Sequence, residues 1–300
     1  MNDSLVSLPA AAVPGPRVSV CIPVYNGGAF LPQAVASVLH QSFTDFELLI
    51  SDDASTDGSW EWLAAQSDPR MVCRRNDRNL GPEANWNRSL EGARGAYIKL
   101  FHQDDLLDPE CLARQVAALD ADPGAALTFC RRQIIDAGGR LIMTRGGGWP
   151  EGPIAGAQVF RRCLRAGTNP IGEPCAVLFR AEAARAAGPF DGREPYLIDL
   201  DYWLRLLEHG SARFQDRPLA SFRLSKGQWS SAIGRKQAEQ FDAFVRRMAA
   251  TRFPAAPWTL RLWSRCMAKG NSTLRGWLAW WHRVRPRSEP EDRGVDHEGR

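Results

Sequence analysis

Two spacings of apolar residues alternate along the first 130 positions. Residues 18–23 form a β-branched run of strand length, closed by Pro23 and followed by the turn-forming Asn26-Gly27-Gly28. From Phe30 onward the apolar positions are Leu31, Ala34, Val35, Val38 and Leu39, which is one face of a helix. Residues 46–50 give a second strand ending at Asp52-Asp53. Ser55-Thr56-Asp57 then offers capping side chains to a helix carrying Trp60 and Leu63. The alternation continues with strands near 71–74, 96–101 and 126–130, a helix opened by Pro82 and another after Pro109. Strands and helices alternating at this spacing predict parallel strands joined by crossover helices. Ligands of such open α/β sheets bind at the carboxyl ends of the strands, where the polar residues gather here.

Beyond Cys130 the pattern changes. Gly138-Gly139 predicts a hairpin and Gly146-Gly147-Gly148 a loop. A helix near 158–165, a strand at 175–179, a helix through 201–208 and strands near 212–224 follow. The expected organisation is a flexible arm at 1–16, a nucleotide-binding half at 17–130, an acceptor half of the same domain at 131–250, a helical extension at 251–287 and a disordered tail at 288–300. The extension is distinct: residues 252–287 hold eight Lys or Arg, no acidic residue and five tryptophans. Leu274, Trp277, Leu278 and Trp281 share a helical face. Two readings stay open, a peripheral contact with anionic membrane through 252–287 or a Trp face packed on the domain.

Composition narrows the function classes. With 300 residues and a formal charge of +4, the chain carries no basic stripe outside the extension, so no nucleic-acid partner is expected. The seven cysteines are scattered, odd in number and never paired as C-x-x-C, and they read as core residues of a reducing compartment. No apolar run is long enough to cross a bilayer, and the proline-broken start lacks signal-peptide character. The expected location is the cytoplasm, at the inner face of the cell membrane if the extension touches lipid. No G-x-G-x-x-G follows the first strand, which argues against a nicotinamide dehydrogenase.

Five ordered pieces carry a resemblance: the runs at 18–28 and 37–41, the run from Phe46 to Gly58, Asn79-Leu80-Gly81 with Gly95 to Ile98, His102-Gln103-Asp104-Asp105 with Pro109, and Asp199 to Arg205. Over residues 17–225 the chain resembles glycosyltransferase family 2. The resemblance implies a GT-A fold, a Rossmann-like and mainly parallel sheet flanked by helices, with a helical C-terminal extension. It also implies a nucleotide diphosphate sugar donor and inversion at the anomeric carbon. The implied reaction is an inverting glycosyl transfer to an acceptor hydroxyl, on a carbohydrate or lipid-linked saccharide, in cell-surface polysaccharide or glycolipid synthesis.

The residue chemistry points the same way. A departing diphosphate needs its charge neutralised, which a divalent cation held by carboxylates achieves. Asp104 and Asp105 follow an apolar strand at the family's D-x-D position, where one or the other touches Mg2+ or Mn2+. The first acidic position of that motif is His102 here, a metal ligand or ribose contact without fixed charge. Pro23, Tyr25 and Asn26 after the first strand, and Asp52 and Asp53 after the second, predict the base pocket. The resemblance gives Asp53 a hydrogen bond to base or ribose and packs Tyr25 on the base. Asn85, with Asn79, Gly81 and Arg88, edges that pocket, and Asp104 contributes to donor binding. Asp199 aligns with the catalytic base, preceded by Ile198 where the family usually has Glu. Asp201 is expected to orient or cap. Glu173 is either an acceptor contact or a solvated loop acid, and residues 225–231 suit a closing flap. The competing reading is a catalytically inactive GT-A-like protein that binds carbohydrate or nucleotide.

Overall fold

The computed structural model describes residues 15–225 and 236–284, the last eleven of these as backbone alone. Residues 1–14, most of the expected flap, and the tail at 288–300 lie outside the described residues. The elements in chain order are β1 (Val18–Val24), α1 (Leu31–Leu39), β2 (Phe46–Asp52), α2 (Ser59–Ala64), β3 (Met71–Arg75), α3 (Pro82–Leu90) and β4 (Tyr97–Leu100). The short β5 (Leu106–Leu107), α4 (Cys111–Asp120), β6 (Ala125–Ile135), β7 (Leu141–Arg145) and β8 (Pro153–Ile154) follow. After these come α5 (Gly156–Ala166), β9 (Val177–Arg180), α6 (Ala181–Ala187), α7 (Ile198–Leu206), β10 (Ser211–Arg223), α8 (Gln237–Thr251) and α9 (Trp258–Val284).

All the strands join one sheet of order β3-β2-β1-β4-β9-β6-β10-β5, with β7 on β6 and β8 on β10. β3, β2, β1 and β4 run parallel, as their alternation with helices predicts. β9 is antiparallel to both β4 and β6, and so splices the parallel strands β3, β2, β1 and β4 to the parallel pair β6 and β10. Every residue of β1, β2 and β4 is buried, the condition of a sheet covered on both faces. That layer buries Lys99 on β4, whose Nζ donates to Gln115 Oε1 (2.9 Å) and to the carbonyls of Cys175 (2.7 Å) and Val177 (3.2 Å). Three acceptors replace the water such an ammonium loses, and they tie β4 to α4 and β9.

Local chemistry departs from expectation in three places. α2 starts at Ser59, whose N–H bonds Asp57 Oδ1, whereas Ser55 and Thr56 turn back to Asn26 instead of capping the helix. The strands expected near 212–224 are one strand, β10, whose register on β6 shifts around Pro218, a residue without an N–H for the ladder. Asp201 does not cap α7. It is buried, bonding Arg205 Nε at 2.7 Å on its own helix and Arg247 Nη2 at 2.9 Å on α8.

α9 is one long helix against α5 and α8. Gly167, which ends α5 at φ +61°, sits where a Cβ would lie 2.6 Å from the Ala268 nitrogen, so only glycine permits this approach. Asn271 Nδ2 donates to the Ala166 carbonyl at 2.7 Å across the same contact, and Ala268 and Ser264 are buried. Trp258 and Leu262 are exposed beside Arg261 and Lys269, whereas the exposed Trp263 donates its Nε1–H to the Arg165 carbonyl of α5 at 3.2 Å and Arg265 pairs with Asp242 of α8. The side chains of Leu274, Trp277, Leu278 and Trp281 lie outside the described residues. Among the described residues no helix is long and apolar enough to cross a membrane. Five of the seven cysteines, Cys21, Cys111, Cys130, Cys163 and Cys175, are buried in the core.

Candidate functional site

The candidate site lies beyond the carboxyl ends of β1, β2 and β4. Gln103, inside the His102–Asp105 turn, holds two of these ends together. Its Oε1 accepts from the Tyr25 N–H (2.8 Å) and its Nε2 donates to the Tyr25 carbonyl (2.9 Å), which leaves the Tyr25 ring half-exposed above. Asn26 takes a left-handed conformation at φ +51°. Its Oδ1 accepts from the Thr56 N–H, so its side chain serves the loop. Pro23 is buried within β1, beside Ser51 of β2.

The two aspartates at the end of β2 are not equivalent. Asp53 Oδ1 accepts from the Leu80 N–H and Asn76 Nδ2, both at 2.8 Å, and Oδ2 accepts from the Gly81 N–H at 3.0 Å. Three donors from the loop before α3 thus engage the residue that the resemblance assigns to the base. Asp52 Oδ2 accepts from the Ser55 N–H and pairs with Arg75 Nε at 3.4 Å, whereas its Oδ1 is buried without a partner among the described residues. Asn85 is buried under both strand ends, donating to the Val24 and Ser51 carbonyls and accepting from Asn76. Arg88 pairs with Glu91 and lines an open groove with Asn76, Gly81 and Asn87.

On the turn after β4, Asp104 is half-buried and Asp105 is fully buried. Asp105 Oδ1 accepts from the Arg223 N–H at 3.1 Å, and Arg223 Nε donates to the Asp104 carbonyl at 2.8 Å. The Arg223 guanidinium also reaches Gln33 and lies over the Phe30 ring, so β10 clamps this turn against the start of α1. Asp105 Oδ2 and His102 Nε2 are both buried without a hydrogen-bond partner among the described residues. Burial, and then the charge of Asp104, push the Asp105 carboxyl well above the usual range. Burial lowers His102 against the pull of Asp104 and Glu173, so the ring is neutral at neutral pH.

His102 packs on Trp86 (4.7 Å between ring centres), Trp86 meets Phe190 edge-on, and Phe190 stacks on Tyr202 of α7 at 3.8 Å. This aromatic chain fixes α7 relative to the turn. At the start of α7, Asp199 is partly buried: Oδ1 accepts from its neighbour Leu200 N–H at 2.7 Å and Oδ2 from Asn169 Nδ2 at 2.9 Å. Burial, and then the nearby charge of Glu173, raise its pKa to about 7. Glu173 is no solvated loop acid. It pairs with Arg132 Nε on β6, a guanidinium only 5% exposed. Burial would raise Glu173, but the Arg132 charge and hydrogen bond outweigh it and hold the carboxyl below its ordinary value.

Glu173 lies within electrostatic reach of His102, Asp105 and Asp199 alike. Acids from three distant segments are therefore coupled electrostatically through Glu173. Gln103, Arg132, Asn169 and Arg223 are the contributors that sequence reasoning missed. The Arg131-Arg132 pair inside an apolar strand was the available signal for one of them.

The Glycosyl transferase family 2 model matches residues 19–187. The chain is 31% identical over 204 residues to EpsE of Bacillus subtilis, described as a putative glycosyltransferase, covering 65% of this chain and 68% of that one. The matched stretch spans between 20% and 70% of the length of the curated relatives compared. In fold it is similar to S. aureus TarS 1-349 in complex with UDP-GlcNAc (TM-score 0.63, 17% identity, 78% of this chain and 66% of that one). It is also similar to the mannosyltransferase PcManGT from Pyrobaculum calidifontis in complex with GDP-Man and Mn2+ (TM-score 0.59, 19% identity, 88% and 76%). The sheet, with its parallel donor-side strands and antiparallel splice, is that of the GT-A glycosyltransferases, and the chain belongs to glycosyl transferase family 2.

Proposed function

We propose that this protein is an inverting glycosyltransferase that moves a sugar from a nucleoside diphosphate to a hydroxyl of a saccharide acceptor, free or lipid-linked, in cell-surface polysaccharide or glycolipid synthesis. The observation that carries this reading is that Glu173, held by Arg132, sits close enough to His102, Asp105 and Asp199 for its charge to act on all three. It supports one cleft in which a diphosphate leaves at one end and an alcohol attacks from the other. Asp199 is the general base. A carboxylate raised to about 7 binds a proton far better than an ordinary one, and a base titrating near the working pH is the efficient choice. Asn169 and the Leu200 N–H hold it in one orientation.

The donor side is read from the same chemistry. Asp52, with its buried unpartnered Oδ1, accepts the N–H of the base under the Tyr25 ring, while Asp53, Asn26, Asn85 and Pro23 hold that pocket's wall. Among the described residues no group of three His, Cys, Asp or Glu is arranged to hold a metal alone. Mg2+ and Mn2+ need fewer, because substrate phosphates complete their shell of hard oxygens. The half-exposed Asp104, with the unpartnered Asp105 Oδ2 and His102 Nε2 beside it, fits such a cation. When bound, it supplies Lewis-acid stabilisation of the departing diphosphate.

The test is nucleoside diphosphate release from UDP-, GDP- and dTDP-sugars with MnCl2 or MgCl2, repeated with EDTA and with Asp199→Asn. Metal-dependent release abolished by the substitution supports the reading. Binding seen by thermal shift without turnover would favour the catalytically inactive binder, which the His102 and Ile198 departures permit. The exposed Trp258, Leu262 and Trp263 beside Arg261 and Lys269 support a peripheral contact with anionic membrane. Equal co-sedimentation with phosphatidylglycerol and phosphatidylcholine vesicles would sink that part.

A further inference from the structure

We propose that Glu173, gripped by Arg132, is an acceptor-binding residue: it accepts a hydrogen bond from the acceptor saccharide hydroxyl next to the one that reacts at Asp199. This rests on the transferase reading above and assigns its acceptor subsite.

The case begins with the cost of the arrangement. Arg132 is buried on β6, Glu173 is its ion-pair partner, and its Nη1 has no hydrogen-bond partner among the described residues. Buried pairs of this kind are poor stabilisers compared with apolar residues of the same volume, so stability alone does not account for one. The loop is shaped around the guanidinium. Gly172 takes φ +115°, and a Cβ there would lie 2.6 Å from Arg132 Cζ, so position 172 admits glycine on both counts.

The same loop is fastened to the base. Asn169 Oδ1 accepts the N–H groups of Ile171 and Gly172, both at 3.0 Å, and its Nδ2 bridges the Gly172 carbonyl and Asp199 Oδ2, both at 2.9 Å. Trp203 Nε1 of α7 donates to that Gly172 carbonyl at 3.2 Å. The position of Glu173 relative to Asp199 is thus set by one amide and one indole.

Part of Glu173 is open to a ligand: its side chain is 28% exposed, with the charges of Arg132 and Arg145 acting on it. Arg132 keeps it ionised, so it accepts hydrogen bonds and donates none. A saccharide presents neighbouring hydroxyls, and two fixed carboxylates facing it can take one each. The tie to Asp199 places this subsite with the acceptor and not with the donor sugar.

The experiment uses the full chain with UDP-glucose, UDP-N-acetylglucosamine and GDP-mannose in MnCl2. Release of nucleoside diphosphate is measured without acceptor, and transfer is measured to p-nitrophenyl hexosides and their deoxy analogues. Glu173→Gln keeps an oxygen for Arg132, and circular dichroism confirms its fold. The expected result is an acceptor KM raised about tenfold, the effect of losing a charge-assisted hydrogen bond, with donor KM and acceptor-free release within about twofold. On the native protein, one deoxy acceptor lacking a hydroxyl adjacent to the reacting one shows the same loss, and Glu173→Gln adds nothing to it. An unchanged acceptor KM, or donor release falling in proportion with transfer, overturns the assignment and leaves the transferase reading standing. If the native protein consumes no sugar nucleotide, the transferase reading itself fails and the assignment goes with it.

Discussion

The proposed donor and acceptor sides differ in the balance of partners their polar side chains take. On the donor side, Asp53, Asn26, Asn85 and Gln103 direct their hydrogen bonds at backbone groups and nearby amides, knitting the ends of β1 and β2 to the loops beside them. On the acceptor side, charges meet charges: Glu173 with Arg132, and Asp201 with Arg205 and Arg247. Backbone partners fix a pocket that any member of the fold needs, because every chain has them. Side-chain pairs depend on the particular residues at both positions. Under the proposed reading, donor binding rests on the backbone-anchored region, and acceptor choice and base strength rest on the pairs.

The largest effect separates the base from everything around it. Asp199→Asn retains the hydrogen bonds from Leu200 or Asn169 in part but cannot take a proton, and transfer should fall about 10²–10⁴-fold, read as initial rate with donor binding unchanged by thermal shift. A loss below tenfold would put the base elsewhere, with Glu173 the next carboxylate to examine. Next comes Asp201→Ala, two residues along the helix. It strands Arg205, 10% exposed, and Arg247 around a vacated carboxylate, and breaking such a buried pair costs about 3 kcal/mol. Urea unfolding measures that loss. The twin contrast is rate lost without loss of stability at 199, and stability lost at 201.

On the donor side the same logic splits adjacent aspartates. Asp53→Asn weakens acceptors for the Leu80 and Gly81 N–H groups and for Asn76, and should cost about 1–2 kcal/mol of stability. Asp52→Asn should instead raise the donor KM about tenfold, since its buried Oδ1 has no described partner to lose. Equal behaviour of the two variants would break the distinction between wall and contact.

These pairs also mark the boundary of what the sequence discloses. The strands, the crossover helices and the clustering of Asp52, Asp53, Asp104 and Asp105 at carboxyl ends are legible because they arise from local periodicity. Asp199 was singled out through its motif, and its place at the start of α7 follows the expected helix. The partners of Asp53 were not legible, since they depend on how residues 76–81 fold back over β2. Arg132 with Glu173 is 41 residues apart, and Arg223 with Asp105 is 118 apart. No spacing rule reaches that far. The capping reading of Ser55 and Thr56 failed for the same reason, because Asn26 lies 29 and 30 positions away and competes for them.

The smallest effect tests the electrical link between the two carboxylates of the acceptor side. The groups facing Asp199 are Glu173, Arg132, the Asn169 amide and the buried Cys163 thiol, itself pushed upward by burial and by Asp199. With Asp199 raised to about 7, transfer should climb about tenfold per pH unit below that value and level off above it. Stability has the opposite sign. Between the ordinary carboxylate pKa and 7 the folded protein holds a proton that the unfolded chain has released, so stability falls as pH rises through this window. Asp199→Asn removes that fall and should unfold later than the native protein at pH 8. Glu173→Gln deletes the neighbouring negative charge, lowers the proton affinity of Asp199 and moves the acid limb of the rate profile to lower pH. A limb that stays in place after this substitution means that burial alone sets the base, and that Glu173 acts on the acceptor without acting on Asp199.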